Sequence, residues 1–294
     1  MVTVRAPATS ANLGSGYDVF GVALAGPADI VTVDRADTTT IEVVGAGSRY
    51  IPEDPAENTA GVVADTLDVT ADIHIDKGVR PASGLGSSAA SAAATAVALD
   101  ALYSLGTPES ALVDAAAAGE AAVAGTAHAD NVAPAILGGF TAVAADGIVH
   151  TTTPVGVSVV ACLPDIVVST GDARAVVPDT VATTDLTTVV GDAATLVAGM
   201  YEADPALIGR GMTPDPASRA RTDLVEGYDT VVDAARDAGA TGVTVSGAGP
   251  AILAVPRPGT DRRVAAAMVE AFADRGVTAR AYRTTIGGGA RFLP

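Results

Sequence analysis

The stretch "SGLGSSAASAAATAVALDALYSL", residues 83 to 105, constrains this chain more than any other. Small residues come first: Gly84, Gly86, Ser87 and Ser88. An alanine-rich run without Pro or Gly follows, and its composition predicts a helix over about Ser88 to Leu105. The first turn of a helix leaves backbone N–H groups unpaired and carries a partial positive charge. Glycine lets backbone approach an anion closely, and serine adds hydroxyl donors, so the segment reads as a phosphate cradle. It is not a Walker A loop, because the Gly-Lys-Ser/Thr ending is missing, and Gly-x-Gly-x-x-Gly does not fit it either. A flexible Ser/Gly turn before a packing helix would use the same residues. The loop taken alone leaves both readings open.

The rest of the chain can support a large core. Its 294 residues suffice for one large domain or two ordinary ones. Hydrophobic residues make up 49% but aromatics only 3%, so Ala, Val, Leu and Ile must fill the interior. No run of eighteen apolar residues reads as a membrane span, and "MVTVRAPATS" lacks the features of a signal peptide. A soluble, cytoplasmic protein is expected. The formal net charge of −17 repels phosphate backbones and anionic lipids, so neither nucleic acid nor membrane is an expected partner. Abundant Asp with a single lysine resembles the composition of proteins from salt-adapted, haloarchaeal-type organisms, where salt screens self-repulsion. Cys162 is alone in an apolar run, which excludes an internal disulfide and predicts a buried, inert thiol. His74, His128 and His150 show no metal-ligand spacing.

Periodicity predicts strands at 2–5 and 19–24, and a hairpin from "DIVTVDRA" and "TTIEVVGA". A helix opens at "NTAGVVADTL", and "ADIHIDKG" alternates with Ile73 and Ile75 on one face. The helix in "GTPESALVDAAAAGEAAVAG" is expected to use Thr107 as N-cap and to end at Gly125. Two strands around a turn at Asp146-Gly147 and a strand in "VGVSVVACLP" follow. Next come a helix around "DLTTVVGDAATLVAGMYE", a Pro-, Gly- and Arg-rich loop over 204–221, and a helix in "DLVEGYDTVVDAARDAG". Two strands joined by a glycine-rich turn in "ATGVTVSGAGPAILAVPR", a helix in "DRRVAAAMVEAFADRG" and a last strand in "VTARAYRTTI" complete the chain. With no doubly wound β-α series, the pattern predicts an α+β fold of two domains, 1–150 and 151–294.

Three motifs carry a resemblance. "PASGLGSSAA" resembles the second motif of the GHMP kinases, "APATSANLGSGYDVFGVAL" is similar to the N-terminal motif of the homoserine kinases within that superfamily, and "VSGAGPAILAV" resembles the third, glycine-rich motif. They occur in order and span most of the chain. The resemblance implies a two-domain α+β fold with a ferredoxin-like C-terminal domain and an active site in the inter-domain cleft. It implies transfer of the γ-phosphoryl group of ATP, with Mg²⁺, to the hydroxyl of L-homoserine, and at family level a homodimer.

Site residues follow from the matching positions. Pro81, Ala82, Ser83, Gly84, Leu85, Gly86, Ser87 and Ser88 would hold the ATP phosphates, and Asn58 matches a nucleotide-contacting position. Lys77 precedes the loop, where a cation could help hold phosphates. Ser88 and Glu120 match the metal-linked pair, and oxygen ligands suit Mg²⁺. For the substrate, Asp18 would pair with the ammonium, while Arg174 and a second arginine would reach the carboxylate. The second arginine best matches Arg221, with Arg219 two residues away. Asn12, His128 and Asn131 match substrate-contacting positions, Asn12 and His128 aiming the hydroxyl, and Gly247 to Gly249 would let backbone approach closely. Sister kinases acting on mevalonate or shikimate are the alternative, but their substrates lack an ammonium for Asp18.

Overall fold

The computed structural model of the chain describes residues 1–125, 127–144, 147–150 and 153–294. Its first half is built on β1 (Val2–Asn12), β2 (Gly16–Arg35), β3 (Thr40–Gly45), β4 (Ala71–Lys77), β5 (Phe140–Ala144) and β6 (Gly147–His150). Helices α1 (Thr59–Thr66), α2 (Ser87–Tyr103), α3 (Glu109–Ala124) and α4 (Ala129–Leu137) belong with it. The second half holds β7 (Ser158–Pro164), β8 (Ala240–Val245), β9 (Ile252–Pro256) and β10 (Ala279–Thr285). Its helices are α5 (Thr170–Ala175), α6 (Thr183–Glu202), α7 (Pro205–Gly211), α8 (Pro216–Thr222), α9 (Tyr228–Asp237) and α10 (Asp261–Ala273). The chain then returns to the first sheet as β11 (Arg291–Phe292).

The first sheet runs β11-β1-β2-β4-β3, with β5 attached to β2 and β6 to β5, and the second runs β10-β7-β9-β8 in antiparallel order. This is the expected α+β architecture. The core follows composition. Helix α2 is buried on nearly every side through Ala89, Ala90, Ala92, Ala93, Ala94, Ala96, Ala98 and Leu99, as befits a helix at the centre of a domain. Small side chains let strands and helices close around it. A second apolar cluster spans both sheets, from Leu13, Phe20 and Leu24 to Val159, Leu196 and Leu253.

Several local expectations change. β3 does not form a hairpin with β2: it pairs in parallel with β4, which pairs antiparallel with β2. Parallel neighbours need a long crossover, and the segment containing α1 provides it. The strand with the buried pair Ile73 and Ile75 thereby lies inside the sheet, and β3 takes its edge. β1 and β2 extend well beyond the expected 2–5 and 19–24. Residues 204–221 hold α7 and α8, not an open loop. Asp204 accepts from the Ala206 N–H at 2.8 Å and Asp215 from the Ser218 N–H at 2.7 Å, each with Pro at the first helical position. Thr107 does not cap α3, since Pro108 holds that position and the Thr107 N–H donates to Asp100. α9 starts only at Tyr228, after Gly227 at φ 84°. The expected turn at Asp146-Gly147 lies outside the described residues. Among those described, no helix is long and apolar enough to cross a membrane.

Candidate active site

A cleft of about 260 Å³ opens between the first half and the loops and helices of the second, with Val168, Thr170, Arg221 and Gly247 on the latter side. It is lined by residues from all three glycine motifs: Asn12 and Asp18, then Ser83 to Ser88 without Leu85, then Gly247 to Gly249. Residues 80–86 form a loop that leads into α2 through Gly86 at φ 62°, and among the described residues no side chain caps the helix. The loop is braced from the second half. Ser246 Oγ donates to the Gly84 carbonyl at 2.6 Å, and the Ala251 N–H donates to the Ser83 carbonyl at 3.1 Å. A Cβ on Gly84 would stand 2.6 Å from the carbonyl oxygens of both Ser246 and Gly249, so only glycine fits this approach. Leu85 departs from the expectation for the loop. Its side chain is 1% exposed and packs in the core, while its carbonyl accepts from the Thr9 N–H. It anchors the loop and does not line the cleft.

Lys77 departs as well. Its ammonium has three hydrogens, and the Asp29 carboxylate, the Ser87 carbonyl and the Ser91 hydroxyl take them. Lys77 is part of the cleft wall, but with all three hydrogens engaged it supports the loop and has no free donor for a phosphate. Asn58 lines the cleft, but its amide is largely engaged. Its Oδ1 caps α1 by accepting from Ala60, and its Nδ2 donates to the Pro52 carbonyl at 2.6 Å.

Glu120 and Ser88 meet beside the loop. The Ser88 hydroxyl hydrogen-bonds the Glu120 carboxyl, whose pKa burial pushes up to about 7 against that bond and the Lys77 charge. Glu120 Oε1 is buried and has no hydrogen-bond partner among the described residues. A buried, unpartnered carboxylate oxygen beside a hydroxyl is a hard-oxygen pair that suits Mg²⁺. No group of three or more His, Cys, Asp or Glu side chains stands ready for a metal among the described residues, so an ion here would complete its shell from other oxygens.

The remaining expected residues gather around Asn12, His128 and Arg221 in the same cleft, with Asn131 close to Gly86 of the loop. Asn12 Nδ2 donates to the Gly247 carbonyl at 3.1 Å, and its Oδ1 accepts from the Asp18 N–H at 3.0 Å. Asp18 and Arg174 form an ion pair at 3.4 Å. Arg221 is 4% exposed and lines the cleft, held by the Ala173 and Gly247 carbonyls and by the Tyr17 hydroxyl. Arg219 is exposed and donates to the Pro214 carbonyl, so Arg221 is the arginine in the site. Arg174 stands beside the cleft, reached through Asp18. His128 caps α4 in position with no side-chain cap bond, and its Nε2 is buried and unpartnered among the described residues. Burial, then Arg174, lowers its pKa. Asn131 is oriented by the Thr9 hydroxyl, which donates to its Oδ1 at 2.9 Å.

Sequence reasoning missed three contributors. Asp130, in the cleft wall, is 5% exposed, and burial followed by the Asp18 charge pushes its pKa up to about 7. It stands between His128 and Asn131 in the quoted stretch, so its place was signalled. Tyr17 lies under the Arg221 guanidinium, 4.7 Å from carbon to ring centre. Asp29 looked like an ordinary strand residue and carried no signal.

The chain matches the family model of the GHMP kinases N terminal domain over residues 56–139 and that of the GHMP kinases C terminal over residues 196–274. It is 61% identical over 293 residues to a homoserine kinase of Halorubrum lacusprofundi, covering 100% of this chain and 99% of that one. It is 59% identical to a homoserine kinase of Natronomonas pharaonis, covering 100% of both. Among solved structures, the homoserine kinase from Cytophaga hutchinsonii superposes with a TM-score of 0.90 at 33% identity, over 99% of this chain and 97% of that one.

Proposed function

This chain belongs to the homoserine kinases of the GHMP kinase family, and from that premise we propose that it transfers the γ-phosphoryl group of ATP to the side-chain hydroxyl of L-homoserine, a step of threonine biosynthesis. One observation carries the substrate assignment. A carboxylate, Asp18, and the Arg221 guanidinium line the cleft, and the Arg174 guanidinium stands beside it paired with Asp18, all three close to Tyr17 and His128. An amino acid offers an ammonium and a carboxylate to such a set, and a hydroxy acid without nitrogen would leave Asp18 unused. The proposed division into units 1–150 and 151–294 is supported at its boundary by the change of sheet between β6 and β7, although β11 at the end of the second unit pairs back with β1.

Phosphoryl transfer requires positioning and charge stabilisation more than covalent chemistry by the protein. In this reading the backbone N–H groups of Gly84, Gly86, Ser87 and Ser88 take the ATP phosphates, while the Ser87 hydroxyl stays on the Val79 carbonyl. Ser88 and Glu120 would hold Mg²⁺, which when bound neutralises phosphate charge. Asp18 takes the substrate ammonium, while Arg174 and Arg221 take its carboxylate. Asn12, His128 and Asn131 surround the hydroxyl, and Gly247 lets the backbone come close. No residue is assigned as general base. The acidic composition and the haloarchaeal relatives support function at high salt.

ATP consumption with L-homoserine, mevalonate and shikimate, measured side by side at high and low salt, tests this. Turnover with homoserine alone is the expected result. Turnover with another alcohol and none with homoserine would overturn the assignment.

A further inference from the structure

Beneath the phosphate loop lies a charged cluster shielded from water. Asp29, on β2, is fully buried, and Lys77, the last residue of β4, is 3% exposed. The Lys77 ammonium donates to the Asp29 carboxylate, to the Ser87 carbonyl at 2.7 Å and to the Ser91 hydroxyl at 2.8 Å. Ser91 passes its own hydrogen to Asp29 Oδ2 at 2.8 Å. The other oxygen, Oδ1, accepts from the N–H groups of Gly78 at 3.0 Å and Val79 at 2.9 Å. All three ammonium hydrogens and both carboxylate oxygens are satisfied.

These partners mark the two ends of the loop. The chain leaves β4 through Gly78 and Val79, whose amides rest on Asp29. It enters α2 at Ser87, whose carbonyl rests on Lys77. The Ser87 hydroxyl donates to the Val79 carbonyl at 2.7 Å and draws the two ends together. The approach of the strands is close: a Cβ on Gly78 would lie 2.0 Å from the Ala28 carbonyl oxygen. A buried ion pair is weak grounds for stability, because desolvation offsets its attraction. Here its hydrogen bonds go to the backbone at the neck of a loop, which is a geometric task.

We infer that Asp29 and Lys77 are positioning residues for phosphoryl transfer, closing the neck of the phosphate loop and fixing where its backbone donors stand without touching the nucleotide. The inference rests on the reading of residues 84–88 as the seat of the ATP phosphates. Loosening the neck weakens the grip on phosphates and leaves the nucleoside end of the site intact.

Two variants test this. The double variant Asp29→Asn, Lys77→Met removes both charges together, so neither is left buried alone. Ser91→Ala removes one bridging hydroxyl from a helix that already favours alanine. Binding of ATP and of adenosine is measured calorimetrically on each variant and on the wild type, with KM for both substrates. ATP affinity is expected to fall about tenfold in the double variant and about threefold in Ser91→Ala, on the scale of one charge-assisted hydrogen bond. Adenosine affinity and the KM for homoserine stay at wild-type values. A purely structural role would lower the melting temperature and leave the ATP-to-adenosine affinity ratio unchanged, and that result in Ser91→Ala overturns the inference even if the double variant does not fold. Failure of the wild type to bind ATP would instead overturn the reading beneath it.

Discussion

Asp18 and Arg174 face each other across the mouth of the cleft, carboxylate to guanidinium at 3.4 Å. Arg174 is 38% exposed and Asp18 41%, so the pair contributes little to folding. Each partner can exchange the other for an opposite charge on a ligand. An amino acid does both at once, its ammonium replacing Arg174 at Asp18 and its carboxylate replacing Asp18 at Arg174. The Asn12 amide fixes the backbone at Asp18, which sits at φ 54°.

Asp18→Asn is therefore expected to raise the KM for homoserine and leave the KM for ATP unchanged. Loss of one charged hydrogen bond predicts a fall in kcat/KM of about tenfold to a hundredfold. Arg174→Ala should behave alike. The melting temperature of either variant should stay near wild type, because the pair they break is exposed. Steady-state kinetics with each substrate varied in turn decide the matter, and an effect confined to the KM for ATP would contradict the placement of both residues.

Gly84→Ala tests the join between the two halves. The new methyl would press on the Ser246 and Gly249 carbonyls, and φ at this position is +76°. Positive φ at a non-glycine residue costs about 1–3 kcal/mol before the clash is counted. The variant is expected to melt lower and to lose kcat/KM for ATP. Gly106→Ala, at φ +68° with open space around it, should show only the conformational cost and keep its activity. Equal loss in the two variants would remove the contact from the explanation.

The phosphate loop and α2 were legible because propensity and tertiary role agree there: alanine favours helix and also lets neighbours pack closely. Asn58 was visible in the sequence as a match to a nucleotide-contacting position, and its role as the cap of α1 came only with the structure. Helix α4 was missed because Pro134 and the following glycines read as breakers. In the fold, Pro134 deprives the Asp130 carbonyl of its intrahelical donor, and that carbonyl lies so close to Gly21 that a Cβ there would stand 1.8 Å away. In α7 and α8 the Asp-Pro pairs were start signals, masked by the surrounding Gly and Arg. The β2-β4-β3 order and the Asp29–Lys77 pair depend on contacts between distant segments, which no local pattern records. The fold class needed only pattern, whereas the underside of the site needed coordinates.

Asp130 gives the protein a pH signature. Burial and the neighbouring Asp18 charge raise its pKa from 3.8 to about 7, with Arg221 and the backbone amides of α4 acting the other way. A carboxyl held above its unfolded value keeps its proton in the folded state while the unfolded chain loses it. Its contribution to stability is therefore complete below about pH 4 and is lost progressively up to about pH 7, by on the order of 4 kcal/mol. Asp130→Asn mimics the protonated form. The variant and wild type should unfold alike at pH 4, and the variant should become the more stable as pH rises to 7, with a constant gap above. Denaturant curves at fixed high salt measure this, and parallel stability profiles would contradict it.

His128 separates aiming from proton transfer. Its Nε2 is buried without a partner among the described residues, and burial with the Arg174 charge lowers its pKa. The imidazole is neutral at pH 7 and can exchange one hydrogen bond with a substrate hydroxyl. Glutamine keeps a hydrogen-bonding group at this place but cannot carry a proton away. If His128 aims the hydroxyl, His128→Gln retains kcat within about threefold, whereas His128→Ala loses the contact and its rate falls further. A general base must be unprotonated, so that role predicts a wild-type kcat that declines in acid through the lowered His128 pKa. It also predicts a loss of about a hundredfold or more in the glutamine variant. The kcat–pH profiles of wild type and His128→Gln distinguish the two. A variant profile of the same shape as the wild-type one, with kcat within about threefold at every pH, is the expected result.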